Sequence, residues 1–161
     1  MTFPPELRGA VWHTTSVQRF ADITRTGNIL AEPGLPDSER WKTVGGPENY
    51  PYVRKLGGVS LFDFREFDEG HYCKTYPLST WQVFVPFRYE WKSSIWIEID
   101  HEALKDDFIS GAELLKRWKA ANSYSNTIMP LIESASLVPI PTRGFKRVLK
   151  ASGSPVAYRN Y

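Results

Sequence analysis

Three residues carry side chains suited to chemistry and sit beside short apolar segments: His13 in Trp12-His13-Thr14-Thr15, Ser60 in Gly58-Val59-Ser60-Leu61-Phe62, and Glu133 ahead of Leu137-Val138-Pro139-Ile140-Pro141. A carboxylate can stabilise developing positive charge or accept a proton, and imidazole and hydroxyl groups can hold a polar substrate by hydrogen bonds. Each also has a plainer use. A histidine at a strand end packs or caps, and a serine in a sheet bonds backbone. A carboxylate among Leu131, Ile132 and Leu137 needs a partner if it is buried. The common signatures of other chemistries are absent. The chain has no Gly-rich loop ending in Lys-Ser/Thr, no G-x-G-x-x-G, no G-x-S-x-G and no H-E-x-x-H. One cysteine and three histidines are too few for a structural zinc site. Asp63, Glu66, Asp68, Glu69, His71 and Cys73 match no calcium-loop spacing, so this stretch is expected to be a solvated loop and no metal is expected.

The elements that must place these residues follow from local pattern. Residues 10–13 form a first strand, and Thr14-Thr15-Ser16 offers hydroxyls to a helix start. Val17, Phe20 and Ile23 recur at helical spacing, Gly27 sits where a left-handed helix end belongs, and Ile29-Leu30 resumes an extended path. Residues 31–56 are a long loop rich in Pro, Gly and charge, with Trp41, Tyr50 and Tyr52 interspersed, and loops of that length are commonly functional. Ordering of this loop by a ligand is one expectation. A strand runs over 57–62, a polar stretch with one short helix over 63–76, and another strand over 81–87. Residues 94–100 give the cleanest strand, with Ile95, Ile97 and Ile99 on one face and Trp96 and Glu98 on the other. Asp100 caps a helix through Phe108, and Ser110-Gly111-Ala112-Glu113 is a capping box opening the next. Strand approach and strand follow over 129–138, then a Pro139-Ile140-Pro141 break and a last strand over 145–149. Strands and helices mix without βαβ alternation, which predicts an α+β fold with antiparallel or mixed sheets.

The segment H-x-T, short helix, Gly-x-Ile-Leu at residues 13–30, and the Glu-strand-Ile-Pro segment beginning at Glu133, resemble the ADP-ribosyltransferase superfamily, nearest to its DNA-modifying toxin branch. Members of that superfamily carry a His, a Tyr or Ser/Thr, and a Glu on three core strands. The resemblance covers the first thirty residues well, the last thirty moderately, and the middle by order alone. It implies one domain over residues 1–161, with a split β-sheet core and a few short helices. It also implies NAD as substrate, held extended while its ribose–nicotinamide bond breaks through an oxocarbenium-like state. By that resemblance His13 binds the adenosine-side ribose, with Thr15 adding a hydroxyl. Glu133 holds a ribose hydroxyl, stabilises positive charge and deprotonates the acceptor. Ser60 stands where the second motif usually has Tyr, and Tyr50, Tyr52 or Phe62 stacks on nicotinamide. Arg19, Arg143 and Arg147 are candidates for the pyrophosphate. Glu98 competes for the third-motif role but comes too early in the order.

Composition frames these expectations. The 161 residues are 42% hydrophobic, 24% charged and 14% aromatic, which excludes disorder as the main state. The net charge of +2 is too small to announce nucleic-acid binding. Residues 140–161 hold five basic residues and no acidic one, leaving fifteen basic against eighteen acidic residues elsewhere, so a basic end could face phosphate. The lone Cys73 excludes an intrachain disulfide, no apolar run reaches the ~20 residues of a bilayer span, and the N-terminus lacks a signal-peptide pattern. A cytoplasmic protein is the expectation. The resemblance implies a nucleic-acid or protein acceptor. Two other classes compete: a binding module of the same fold without turnover, gripping a ligand through the loop around Trp41 to Tyr52 and the basic C-terminal stretch, and an RNA 2′-phosphotransferase-like enzyme that relies on basic residues rather than Glu133.

Overall fold

The structure, a computed structural model, describes residues 2–42 and 45–161. Its fold is α+β, as the sequence implies. Seven strands form the main sheet: β1 (Val11–Thr15), β3 (Val59–Asp63), β4 (Ser93–Ile99), β5 (Phe108–Ile109), β6 (Glu133–Ser136), β8 (Phe145–Ser152) and β9 (Ala157–Asn160), in the order β5-β6-β3-β1-β4-β8-β9. Two short strands, β2 (Asn28–Ile29) and β7 (Ile140–Pro141), pair separately. Every described pairing is antiparallel.

Strand register separates the side chains by face. Trp12 lies opposite Phe62 and Glu98, and Phe62 lies opposite Glu133, so these four share one face. On that face Trp12, Phe62, Phe64 and Trp96 pack with Phe3, Leu7, Tyr72 and Trp81 into an aromatic core. On the other, Ile95, Ile97, Ile99 and Leu61 are covered by Val17, Phe20 and Ile23 of α1 (Val17–Thr26). The Ile95/Ile97/Ile99 stripe is thus where alternation puts it. A third cluster joins Tyr52 and Val53 of α2 (Tyr52–Lys55) to Ile109, Leu114 and Ala135.

Local signals set several boundaries. Ser16 accepts a hydrogen bond from Arg19 N to open α1, and Gly27, at φ 77°, closes it in the left-handed region that an L side chain avoids. Ser110 accepts from Glu113 N to open α5 (Gly111–Ala120), and Asp68 accepts from His71 N to open α3 (Glu69–Thr75). Gly111 has no room for a side chain, since a Cβ there would lie 1.8 Å from the Leu131 carbonyl oxygen. The acidic stretch before α3 has structural duties. Asp63 accepts from Arg65 and from Gly111 N, and Glu69 accepts from Phe3 N.

Three expectations need correction. Residues 81–87 are not a strand but a 3₁₀ turn over Trp81–Val83 and irregular chain, whose aromatic and apolar residues fill the core without a ladder. The helix capped by Asp100 is only α4 (His101–Leu104), because the chain turns at Asp106 and Asp107 and pairs as β5 at Phe108. The Pro139-Ile140-Pro141 break itself pairs with β2, and a further strand, β9, follows β8 at the sheet edge.

Candidate functional site

The site begins where the main sheet parts. β1 pairs with β4 along residues 12–15, but with β3 only at Val11–Asp63 and Trp12–Phe62. Beyond Trp12 the two neighbours separate, β1 staying with β4 and β3 with β6. His13 spans the gap at its narrow end, its Nδ1 lying 3.0 Å from the Ser60 carbonyl oxygen. A carbonyl only accepts, so Nδ1 carries the proton and Nε2 is left as an acceptor. Burial holds the imidazole below its usual pKa, and the nearby Arg19 charge adds to this against the opposing pull of the Ser60 bond. The ring is therefore neutral at pH 7.

A cavity of about 630 Å³ opens from this parting, within the range of small-molecule sites. His13, Thr15, Arg19, Ser60, Phe62 and Glu133 all line it. Glu133 is buried, and its backbone explains its pose. Glu133 N donates to Met129 O at 2.9 Å, and Met129 N donates back to Glu133 Oε2 at 2.9 Å. This reciprocal pair closes the turn ahead of β6, with Leu131 held at φ 61°. Among the described residues Oε1 has no hydrogen-bond partner. Burial pushes the carboxyl up to about 7, against the small opposing effect of the Met129 bond. A carboxyl so placed can hold a hydroxyl, face a developing cation, or take a proton near neutrality.

The other candidates divide. Thr15 is buried in the cavity wall, and Phe62 is held edge-on by Phe84 and Trp96, with ring centroids 5.3 and 5.5 Å away. Tyr52 is buried in the third cluster and lies outside the cavity lining. Tyr50 is also outside it, donating through its hydroxyl to Asp37. Arg147 sits on β8, where it donates to Glu98 Oε2 at 3.0 Å and to Glu6 O and lies over the Trp12 ring. Neither Glu98, Arg143 nor any other residue of the basic C-terminal stretch lines the cavity.

Sequence reasoning reached Trp41 in the long loop but did not single out Arg40, Lys42, Arg54, Arg88 or Trp91, which line the same cavity. Arg40, Trp41 and Lys42 do so from the long loop, Arg54 from α2, Arg88 from the chain before β4 and Trp91 from the 3₁₀ turn Tyr89–Trp91. The loop is tied down by ion pairs: Arg40 to Glu32 at 2.6 Å, and Arg54 to Asp37 at 2.9 Å, with the Arg54 guanidinium 3.8 Å from the Tyr50 ring centroid. Thr43 and Val44 of this loop lie outside the described residues. The mixture of aromatics and cations in residues 40–54 was the available signal.

No family model matches the chain, and no curated protein matches it. Among solved structures, the crystal structure of protein CC0527 from Caulobacter crescentus is similar over 92% of each chain, with a TM-score of 0.43 and 7% identity. Among the described residues no helix is long and apolar enough to cross a membrane, and no three His, Cys, Asp or Glu side chains gather as a metal site would require.

Proposed function

We propose that this chain is an ADP-ribosyltransferase-like enzyme that cleaves NAD and passes ADP-ribose to a nucleic-acid or protein acceptor, working in the cytoplasm. The observation that carries the reading is the buried Glu133 carboxyl, with one oxygen uncommitted, in a single cavity with His13 at the parting of β1 and β3. His13 Nε2 accepts a hydrogen bond from a hydroxyl of the adenosine ribose. Glu133 accepts one from the nicotinamide ribose and faces C1′ as the bond to nicotinamide breaks. The bonding pair leaves with the nicotinamide nitrogen, and positive charge appears on the ribose, where a carboxylate stabilises it. The acceptor then bonds to C1′, and its proton passes to Glu133, whose carboxyl near 7 is matched to that transfer. Phe62, in the same lining, is the aromatic that meets the nicotinamide, and the Ser60 carbonyl fixes the His13 tautomer.

Release of nicotinamide from NAD by the purified protein tests this reading. The expected result is turnover that falls at least a hundredfold in Glu133→Gln. Stabilisation by NAD with no turnover under any acceptor would instead make the chain a binding module.

The arginines of the cavity wall favour a second reading, an RNA 2′-phosphotransferase-like enzyme, since Arg19, Arg40, Arg54 and Arg88 all border the same space. Removal of a 2′-phosphate that survives Glu133→Gln but not loss of these arginines would select it.

A further inference from the structure

Five side chains of the cavity wall alternate between cation and indole. Lys42 Nζ lies 5.4 Å from the Trp41 ring centroid, and the Arg88 guanidinium lies 5.4 Å from that ring on its way to Trp91, 5.2 Å away. Arg19 lies 6.0 Å from the same Trp91 ring. Trp41 is itself anchored edge-on against Phe84 of the aromatic core, at 4.9 Å. Three positive charges are thus collected on one wall, and among the described residues the carboxylates paired with them are at the surface. Glu90 accepts from Arg88 at 3.0 Å, and Glu39 lies 3.7 Å from Arg19, each more than half exposed. Such exposed pairs neutralise little.

Two details show unmet demand for an anion. Arg88 Nε is buried and has no hydrogen-bond partner among the described residues. Burial holds Arg19, which also donates to Glu39 O at 2.6 Å, below the ordinary arginine range despite the opposing pull of the Glu39 carboxylate, and the Arg88 charge pushes it further down. Indole faces attract cations but supply no acceptor for an N–H group. A phosphate oxygen supplies that acceptor and the missing charge together.

We propose that Lys42, Arg88 and Arg19, spaced by Trp41 and Trp91, form a phosphate-binding wall that takes the diphosphate of the dinucleotide. The phosphate site stands on this geometry alone; its assignment to a dinucleotide rests on the transferase reading above.

Calorimetric titration of the full chain with ADP-ribose, inorganic pyrophosphate, adenosine and a short single-stranded oligonucleotide tests it. Arg88→Met should weaken ADP-ribose and pyrophosphate at least tenfold and leave adenosine unchanged. Lys42→Met, at an exposed position that puts folding at little risk, should weaken the same two ligands about threefold. Wild-type affinity for ADP-ribose in both variants, or no binding of ADP-ribose and pyrophosphate to the unmodified protein, overturns the proposal. An oligonucleotide that binds through Arg88 more tightly than ADP-ribose overturns the dinucleotide assignment. Phosphate ligands held through Arg88 without NAD cleavage leave the wall standing and remove the transferase reading. NAD cleavage at full rate and unchanged KM in Arg88→Met does the reverse.

Discussion

Replacing Glu133 by glutamine keeps the length of the side chain and an oxygen to accept from Met129 N, removes its charge and turns its second oxygen into an amide N–H donor. Burial raises this carboxyl from 4.5 to about 7, so the folded chain holds the proton more tightly than the unfolded chain does. The sign follows directly. The associated stability is fully present below pH 4.5 and is lost as pH rises through 7. That displacement corresponds to about 3 kcal/mol of folding free energy. Glutamine carries no such dependence, so the variant should match the parent near pH 4 and exceed it by up to about 3 kcal/mol at pH 8. For a chain of this size the gain is roughly 6–12 °C in Tm. Urea unfolding at four or five pH values, with the slope checked for constancy, measures it. Parallel stability curves across pH 4 to 8 would refute the reasoning, because they would mean that the carboxyl is not desolvated in the fold. A side chain whose neutralisation strengthens the fold while abolishing turnover is one retained for chemistry.

Two further outcomes are expected. The His13 ring should gain its proton below pH 6.5 only with difficulty, and once charged its Nε2 no longer accepts; the Tm shift produced by ADP-ribose should therefore shrink on acidification, and a profile identical in His13→Ala would contradict this. Gly111→Ala drives a Cβ into the carbonyl of Leu131, the middle residue of the Met129–Glu133 turn, so urea unfolding should show a loss of about 1–3 kcal/mol or more, and an unchanged midpoint would contradict the packing described.

How much of this was legible in the sequence depended on whether the signal was local. Ser16 fixes the start of α1 through its side chain and Gly27 the end through its backbone freedom, and Ser110 fixes the start of α5 as Ser16 does that of α1. Alternation alone oriented Ile95, Ile97 and Ile99. Residues 81–87 defeated the same reasoning because Trp81, Phe84 and Val85 pack into the core from turns, and packing accepts apolar side chains from any backbone. For the site, His13, Ser60 and Glu133 were visible as residues on or beside strands, and the register supplies what spacing lacked: β6, β3 and β1 are consecutive neighbours. Tyr52 and Arg147 look equally suitable in sequence, yet the third cluster takes one and the Glu98 ion pair the other. Arg88 and Trp91 lie on chain without periodicity, so their convergence with Trp41 is set by tertiary contacts that no local pattern encodes.

The most direct measurement is a crystal structure of the Glu133→Gln protein soaked with NAD. The dinucleotide should lie across the parting of β1 and β3, with its adenosine ribose at His13 Nε2 and a hydroxyl of its nicotinamide ribose within hydrogen-bond distance of the side chain at position 133. A dinucleotide bound on any other surface, or a cavity left empty at saturating NAD, would contradict the account.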